Sequence, residues 1–135
     1  MRLHSDAYLS LQFYPELSHA RLIRTAQQFG SVHKVAGSLR ACATALKDRE
    51  VSTMGLLLDW RLAPLTTDPV LLKNVVQRID VFAAAFARRA LLVATPVGLL
   101  QSERLARTIS HAKPVLFSDE AAAVAYVEGK TPPSE

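Results

Sequence analysis

The sequence predicts an α/β domain, in the order ββαβαβαβα, with a mixed, mostly parallel sheet of about five strands and helices on both faces. Three observations carry this. Residues 54–60, MGLLLDW, are a short continuous apolar run, the pattern of an inner strand covered on both sides. Two more short apolar segments, 90–95 and 114–117, follow it at intervals that leave room for a helix. Between them, apolar residues recur at helical period, and strands alternating with helices fold through right-handed crossovers into parallel pairing.

Each element has a local reason. Leu9, Leu11 and Phe13 alternate with Tyr8, Ser10 and Gln12, which marks 8–13 as a half-buried strand. Pro15 interrupts it, because proline donates nothing to a ladder. Arg21, Ile23 and Thr25 alternate with Ala20, Leu22 and Arg24 over 19–27, giving a second strand and an antiparallel hairpin. Ser31 is placed to cap a helix carrying Val32, Val35, Ala36, Leu39, Cys42, Ala43 and Leu46 as one stripe. Asp68-Pro69 starts the next helix, with a capping carboxylate and a proline where no N–H is needed. Its apolar face runs through Leu72, Val75, Val76, Ile79, Phe82, Ala83 and Phe86, and Arg88-Arg89 suits the negative end of its dipole. A turn at 96–98 then leads to a helix over 99–110, with Leu100, Leu105 and Ile109 toward the core. After the strand at 114–117, Ser118-Asp119-Glu120 caps a last helix that closes at Gly129. Residues 1–129 read as one domain and 130–135 (KTPPSE) as a flexible tail.

The composition limits what such a domain does. With 135 residues, half of them hydrophobic and 21% charged, the chain is sized for a single core. Basic and acidic residues alternate and the net charge is +4, so no nucleic-acid tract is indicated. Cys42 is the one cysteine, which excludes an internal disulfide, and it lies on a core stripe as a small hydrophobe. His4, His19, His33 and His111 have no companion ligand one helical turn away, so no metal or cofactor is expected. Arg88, Arg89 and Pro96 break the most apolar stretch, 81–100, before it reaches the ~20 residues of a membrane span. With no secretory pattern at the start, a cytoplasmic location is expected.

The opening hairpin, the acid-ended strand GLLLDW, the loop into a capped helix and the closing FSDEAAAVAYV helix together resemble the STAS domain. That family is named for sulfate transporters and anti-sigma-factor antagonists; the likeness is to its stand-alone bacterial members, which are related to the SEC14-like lipid-binding fold. In phosphorylatable members the corresponding loop carries Asp-Ser-Ser/Thr-Gly. Here Pro64-Leu65-Thr66-Thr67-Asp68-Pro69 has hydroxyls but lacks the glycine, and its acid follows the hydroxyls. The resemblance implies a non-enzymatic domain working through protein partners or a bound small molecule, with Thr66 and Thr67 as the phosphorylation candidates. A phosphate there gains from the helix dipole and is repelled by Asp68.

Ligands of open α/β sheets gather at the carboxyl ends of the strands. That edge is expected to bring together Asp59, Trp60, Arg61, Thr95 and Ser118, with Thr66, Thr67, Gly98 and Asp119 beside them. Trp60 and Arg61 are residue types enriched in contact hot spots, although Trp60 can equally pack under a helix. Asp68 and Ser118 are better explained as helix caps. No nucleophile–base pair or facing carboxylates can be assembled, so no catalytic residue is assigned. The expected function is therefore a regulatory or scaffold role through protein–protein contact at this rim. The alternative is a small-ligand or lipid-binding module using the same loops, and self-association through the edge of the first hairpin is open to the chain.

Overall fold

The computed structural model describes residues 1–94 and 114–130. Its sheet is mixed and has six strands in sequence order. The first three, β1 (Arg2–Ser5), β2 (Leu9–Tyr14) and β3 (His19–Arg24), form an antiparallel meander, with a 3-10 turn at Pro15–Leu17. Next to β3, in parallel, lie β4 (Gly55–Asp59), β5 (Arg88–Leu92) and β6 (Val115–Phe117). The described helices are α1 (Val32–Ala45), α2 (Pro69–Ala83) and α3 (Glu120–Val127). Thr95, the expected turn at 96–98, the helix expected over 99–110 and residues 131–135 lie outside the described residues.

The sixth strand corrects the expected count of about five. β1 reads RLHS, which has no alternation to announce it, and a bulge shifts its register between Arg2 and His4. Long-range bonds define it instead: Phe13 N–H donates to Met1 O at 2.8 Å, and the amino terminus donates back to Phe13 O at 3.2 Å. The second expected strand also ends earlier, at Arg24.

Period-two alternation sorts the meander as read. Leu9, Leu11 and Phe13 are buried beside Leu22 and Ala20, on the face where Leu56 and Leu58 of β4 also point. Val35, Leu39, Cys42 and Leu46 of α1, with Val75 and Ala83 of α2, close over that face. Each fully buried leucine there contributes about 2 kcal/mol to folding. Ala43, expected on the stripe, is exposed, and Ser38 is buried in its place. On the opposite face Leu57, Ala90 and Leu92 meet Ala123 and Val127 of α3. The described helices therefore cover both faces, with β4 buried along all five of its residues.

The caps follow the sequence with one change. Ser31 accepts from Lys34 N–H, and Asp68 accepts from Val70 and Leu71 N–H. For α3 the cap is Asp119, which accepts from Ala122 N–H at 2.9 Å, while Ser118 stays exposed just ahead of it. Arg88 and Arg89 do not end α2, which stops at Ala83; they open β5. Arg88 serves another helix end: its Nε and Nη2 donate to Val127 O at 3.1 and 3.0 Å, at the C-terminus of α3. Gly129 follows at φ +79°, the left-handed conformation in which helices commonly end. Among the described residues no helix is long and apolar enough to cross a membrane.

α3 runs so close to β4 that backbone meets backbone. A Cβ on Gly55 would overlap Val127 O and stand 2.7 Å from the carbonyl carbon and Cα of Val127. Neither neighbour can rotate away, as a side chain would. Gly55→Ala is accordingly expected to lower the unfolding free energy by about 3 kcal/mol, toward the upper end of overpacking costs. Urea denaturation checks this, and a change under about 0.5 kcal/mol would show that α3 shifts freely on the sheet.

Candidate functional site

The parallel strands end side by side, with Ile23, Asp59 and Leu92 in register. Successive side chains of a strand point to opposite faces, and this splits the expected pair Asp59–Trp60. Asp59 turns toward the α3 side, while Trp60 packs, partly buried, against the core under α1 and α2. The backbone N–H of Trp60 continues the ladder to Leu92 O at 2.9 Å. The packing alternative for Trp60 is thus the arrangement present.

Asp59 and Arg61 meet directly. The guanidinium folds back so that Nε reaches Asp59 Oδ1 at 3.0 Å and Nη2 reaches Oδ2 at 2.8 Å, a two-pronged, charge-assisted pair. Burial alone would raise the Asp59 pKa, but the hydrogen bonds from Arg61 outweigh it and hold the carboxyl below its ordinary value. Those same bonds raise the pKa of Arg61. Arg61 Nη1 goes on to Glu120 Oε1 at 3.0 Å, and Glu120 Oε2 receives Arg21 Nη1 at 3.1 Å. Glu120 sits in the first turn of α3, where the helix dipole favours an anion. Two arginines and two carboxylates thus fasten β3, β4 and α3 with no net charge left over.

The 60–68 loop that follows carries large apolar side chains into solvent. Leu62 is 64% exposed and Leu65 58%, and Val70 in the first turn of α2 is 64% exposed. The loop is tied by Ala63 N–H to Trp60 O and by Gln28 Nε2 to Leu65 O at 2.9 Å. Thr67 is exposed and Thr66 half-buried, next to the Asp68 cap.

At the same edge the β1–β2 turn forms a second polar hub around Asp6. Its Oδ1 accepts from Tyr8 and Leu9 N–H at 2.8 and 2.9 Å, and its Oδ2 lies 2.7 Å from both His4 Nε2 and Ser38 Oγ. Burial works against the carboxylate, but these bonds prevail and bring its pKa down to about 2. Buried Arg24 donates to Tyr8 O and Thr25 O, and its guanidinium lies 4.2 Å above the Phe29 ring, which stacks on Tyr8. Burial pushes that guanidinium down to about 10. The Cys42 thiol, buried and close to the Asp6 charge, is pushed up to about 12 and so stays protonated.

A serine, a histidine and an aspartate meet here, but in the wrong order for a triad. Ser38 donates to the carboxylate rather than to the imidazole, so His4 is not in position to take its proton. Among the described residues no group of three or more His, Cys, Asp or Glu is placed to hold a metal. The structure therefore brings Asp59 and Arg61 together, sets Trp60 inward and leaves Ser118 exposed. Arg21, Glu120, Asp6 and Ser38 join the edge through contacts of long sequence separation that no local pattern announces. No protein-family model, curated protein or solved structure matches the chain.

Two stability effects follow. The Asp6 shift, from 3.8 to about 2, corresponds to about 2 kcal/mol. Because the folded value is the lower one, this contribution is complete above pH 3.8 and disappears as pH falls through about 2. Asp6→Asn is expected to lose about 2 kcal/mol at pH 7 in urea titrations, with the gap from the wild type closing on acidification. Arg61→Met leaves Asp59 buried without its partner and is expected to cost about 2 kcal/mol at pH 7, measured the same way.

Proposed function

We propose that this chain is a regulatory or scaffold domain that acts through protein–protein contact at the C-terminal edge of β3, β4 and β5. The observation that carries this reading is the exposure of Leu62 and Leu65 on a loop held in place by its neighbours. Neighbouring apolar side chains kept in water mark contact surfaces more often than chance, and a tied loop gives up less entropy on binding. The contact surface is centred on Leu62, Leu65 and Val70, flanked by Thr67 and the outer side of Arg61, with Trp60 and Asp59 supporting it from below. The resemblance to stand-alone bacterial STAS domains supports the same role, and a cytoplasmic setting belongs to the proposal. On this reading, phosphorylation at Thr66 or Thr67 would place charge at the margin of the apolar patch.

The decisive comparison is Leu62→Ser/Leu65→Ser against wild type, in cross-linking and capture from native cells. Both side chains are solvated, so the melting temperature is expected to stay within about 2 °C. A partner captured by the wild type and lost at least tenfold by the variant supports the reading; equal capture by both would remove the loop as its surface. Native mass spectrometry supplies the second arm. Bound small-molecule or lipid mass retained by the wild type and lost by the variant would favour the ligand-binding alternative.

A further inference from the structure

Helix α1 turns toward water a cationic face that its own stability does not explain. Val35, Leu39 and Cys42 point into the core, and His33, Lys34, Gly37, Arg40 and Thr44 are exposed on the other side. Lys47 extends that side, because its N–H bonds Thr44 O at 3.2 Å and continues the coil past the helix end. No acidic residue occurs between Glu16 and Asp48, so α1 has no carboxylate of its own to pair with these cations. Among the described residues none of Lys34, Arg40 and Lys47 has a carboxylate partner elsewhere in the fold. Asp48 follows Lys47 in the chain and is the first acid beyond the face.

Two local rules are broken on this face. Cations suit the C-terminal end of a helix, yet His33 and Lys34 stand in the first turn of α1 and its last turn holds none. Glycine is a poor helix former, yet Gly37 sits in the middle of α1 with nothing within 4 Å of where a Cβ would stand. Its backbone does not have a positive φ either, so neither a turn nor close packing within the chain calls for glycine there. Departures of this kind collect where a surface serves something outside the fold.

We infer that the outer face of α1 docks an acidic helix of a partner protein, laid over Gly37 with its carboxylates against Lys34 on one side and Arg40 and Lys47 on the other. His33, Arg40 and Lys47 follow one another at seven-residue intervals, two turns or about 10 Å apart, along one flank of Gly37. A partner helix with acids at heptad spacing matches that interval, and charges flanking a helix seam set partner choice and orientation. Glycine at the centre lets the partner backbone come close, which brings the flanking charges within reach of each other.

Other polyanions fit this face less well. Duplex DNA carries about one charge per 1.7 Å of axis, or about 12 along the about 21 Å of α1, far more than Lys34, Arg40 and Lys47 can answer. Residues 32–47 hold no Asn, Gln, Phe, Tyr or Trp with which to contact a base. A helix that lies on an anionic bilayer sinks large apolar side chains into it, and the exposed positions between these cations are Gly37 and Thr44. The face lies on the outer side of α1 and stands whether or not the 60–68 loop binds a partner.

Fluorescence anisotropy of the full chain with a labelled three-heptad peptide, glutamate at the two heptad positions that flank a central alanine, tests this at about 50 mM salt. The wild type is expected to bind it, and Arg40→Gln/Lys47→Gln to weaken binding about tenfold, the sum of two exposed ion pairs. Gly37→Gln puts a side chain into open space and improves helix propensity, so the fold is kept while binding weakens about fivefold or more. Thermal melts of each variant check that the chain is folded. Equal affinity in wild type and both variants, or no binding up to about 1 mM peptide, would overturn the inference. So would equal binding of the same peptide with lysine for glutamate, or tighter binding of a short DNA duplex or of phosphatidylserine vesicles than of the glutamate peptide.

Discussion

Covering both faces of β4 is the constraint on which the rest of this structure depends. Five consecutive residues, Gly55 to Asp59, are buried, so neither side of the strand can be left to water. One side is closed by α1 and α2, whose larger side chains interdigitate with Leu56 and Leu58. The other side receives α3, of which half is alanine. Small side chains fill little depth, so the helix must descend until Val127 touches the strand, and at that point β4 carries glycine. Alanine content, glycine placement and backbone contact are thus one solution to one packing problem.

A helix seated this way combines apolar burial, through Ala123 and Val127 with the partly buried Val124 and Tyr126, with polar contacts at its ends. At the leading end Glu120 lies between Arg21 and Arg61, and Arg61 binds Asp59. At the trailing end Val127 O accepts from Arg88, and Glu128 faces His19 and Lys130. The two ends differ in exposure. Arg61 is 38% exposed, so its outer bonds compete with water, whereas the His19–Glu128 contact is sealed. Exposed ion pairs contribute little, and buried ones depend on every group being satisfied.

The sequence made the fold legible wherever the signal was local. Alternation placed β2, helical period placed α1, and Asp68-Pro69 placed the start of α2 to the residue. It failed where pairing or packing decides. RLHS becomes a strand because β2 offers it an edge, and Arg88-Arg89 is drawn into β5 by pairing with Gly55 and Leu56. At the rim, Asp59, Trp60 and Arg61 were found from the end of the apolar run. That Trp60 faces inward follows from the strand parity at Asp59, a fact already present in the spacing. The partners of Arg61 were not recoverable, because Glu120 lies 59 residues away and no local pattern encodes such a contact.

α3 connects the two edges of the sheet. Eight residues at about 1.5 Å each make a rod of about 12 Å, long enough to reach from the ends of the parallel strands back to their beginnings. Its first residue, Glu120, belongs to the ion-pair cluster beside the 60–68 loop, and Glu128, just past its end, faces His19. A short helix with intact internal bonds moves as a unit more easily than it bends. Glu120 in turn holds Arg61, whose remaining bonds to Asp59 hold the root of the loop. α3 therefore ties the ion-pair cluster at one edge to the Arg88–Val127 and His19–Glu128 contacts at the other, across the Leu57, Ala90 and Leu92 cluster that it covers.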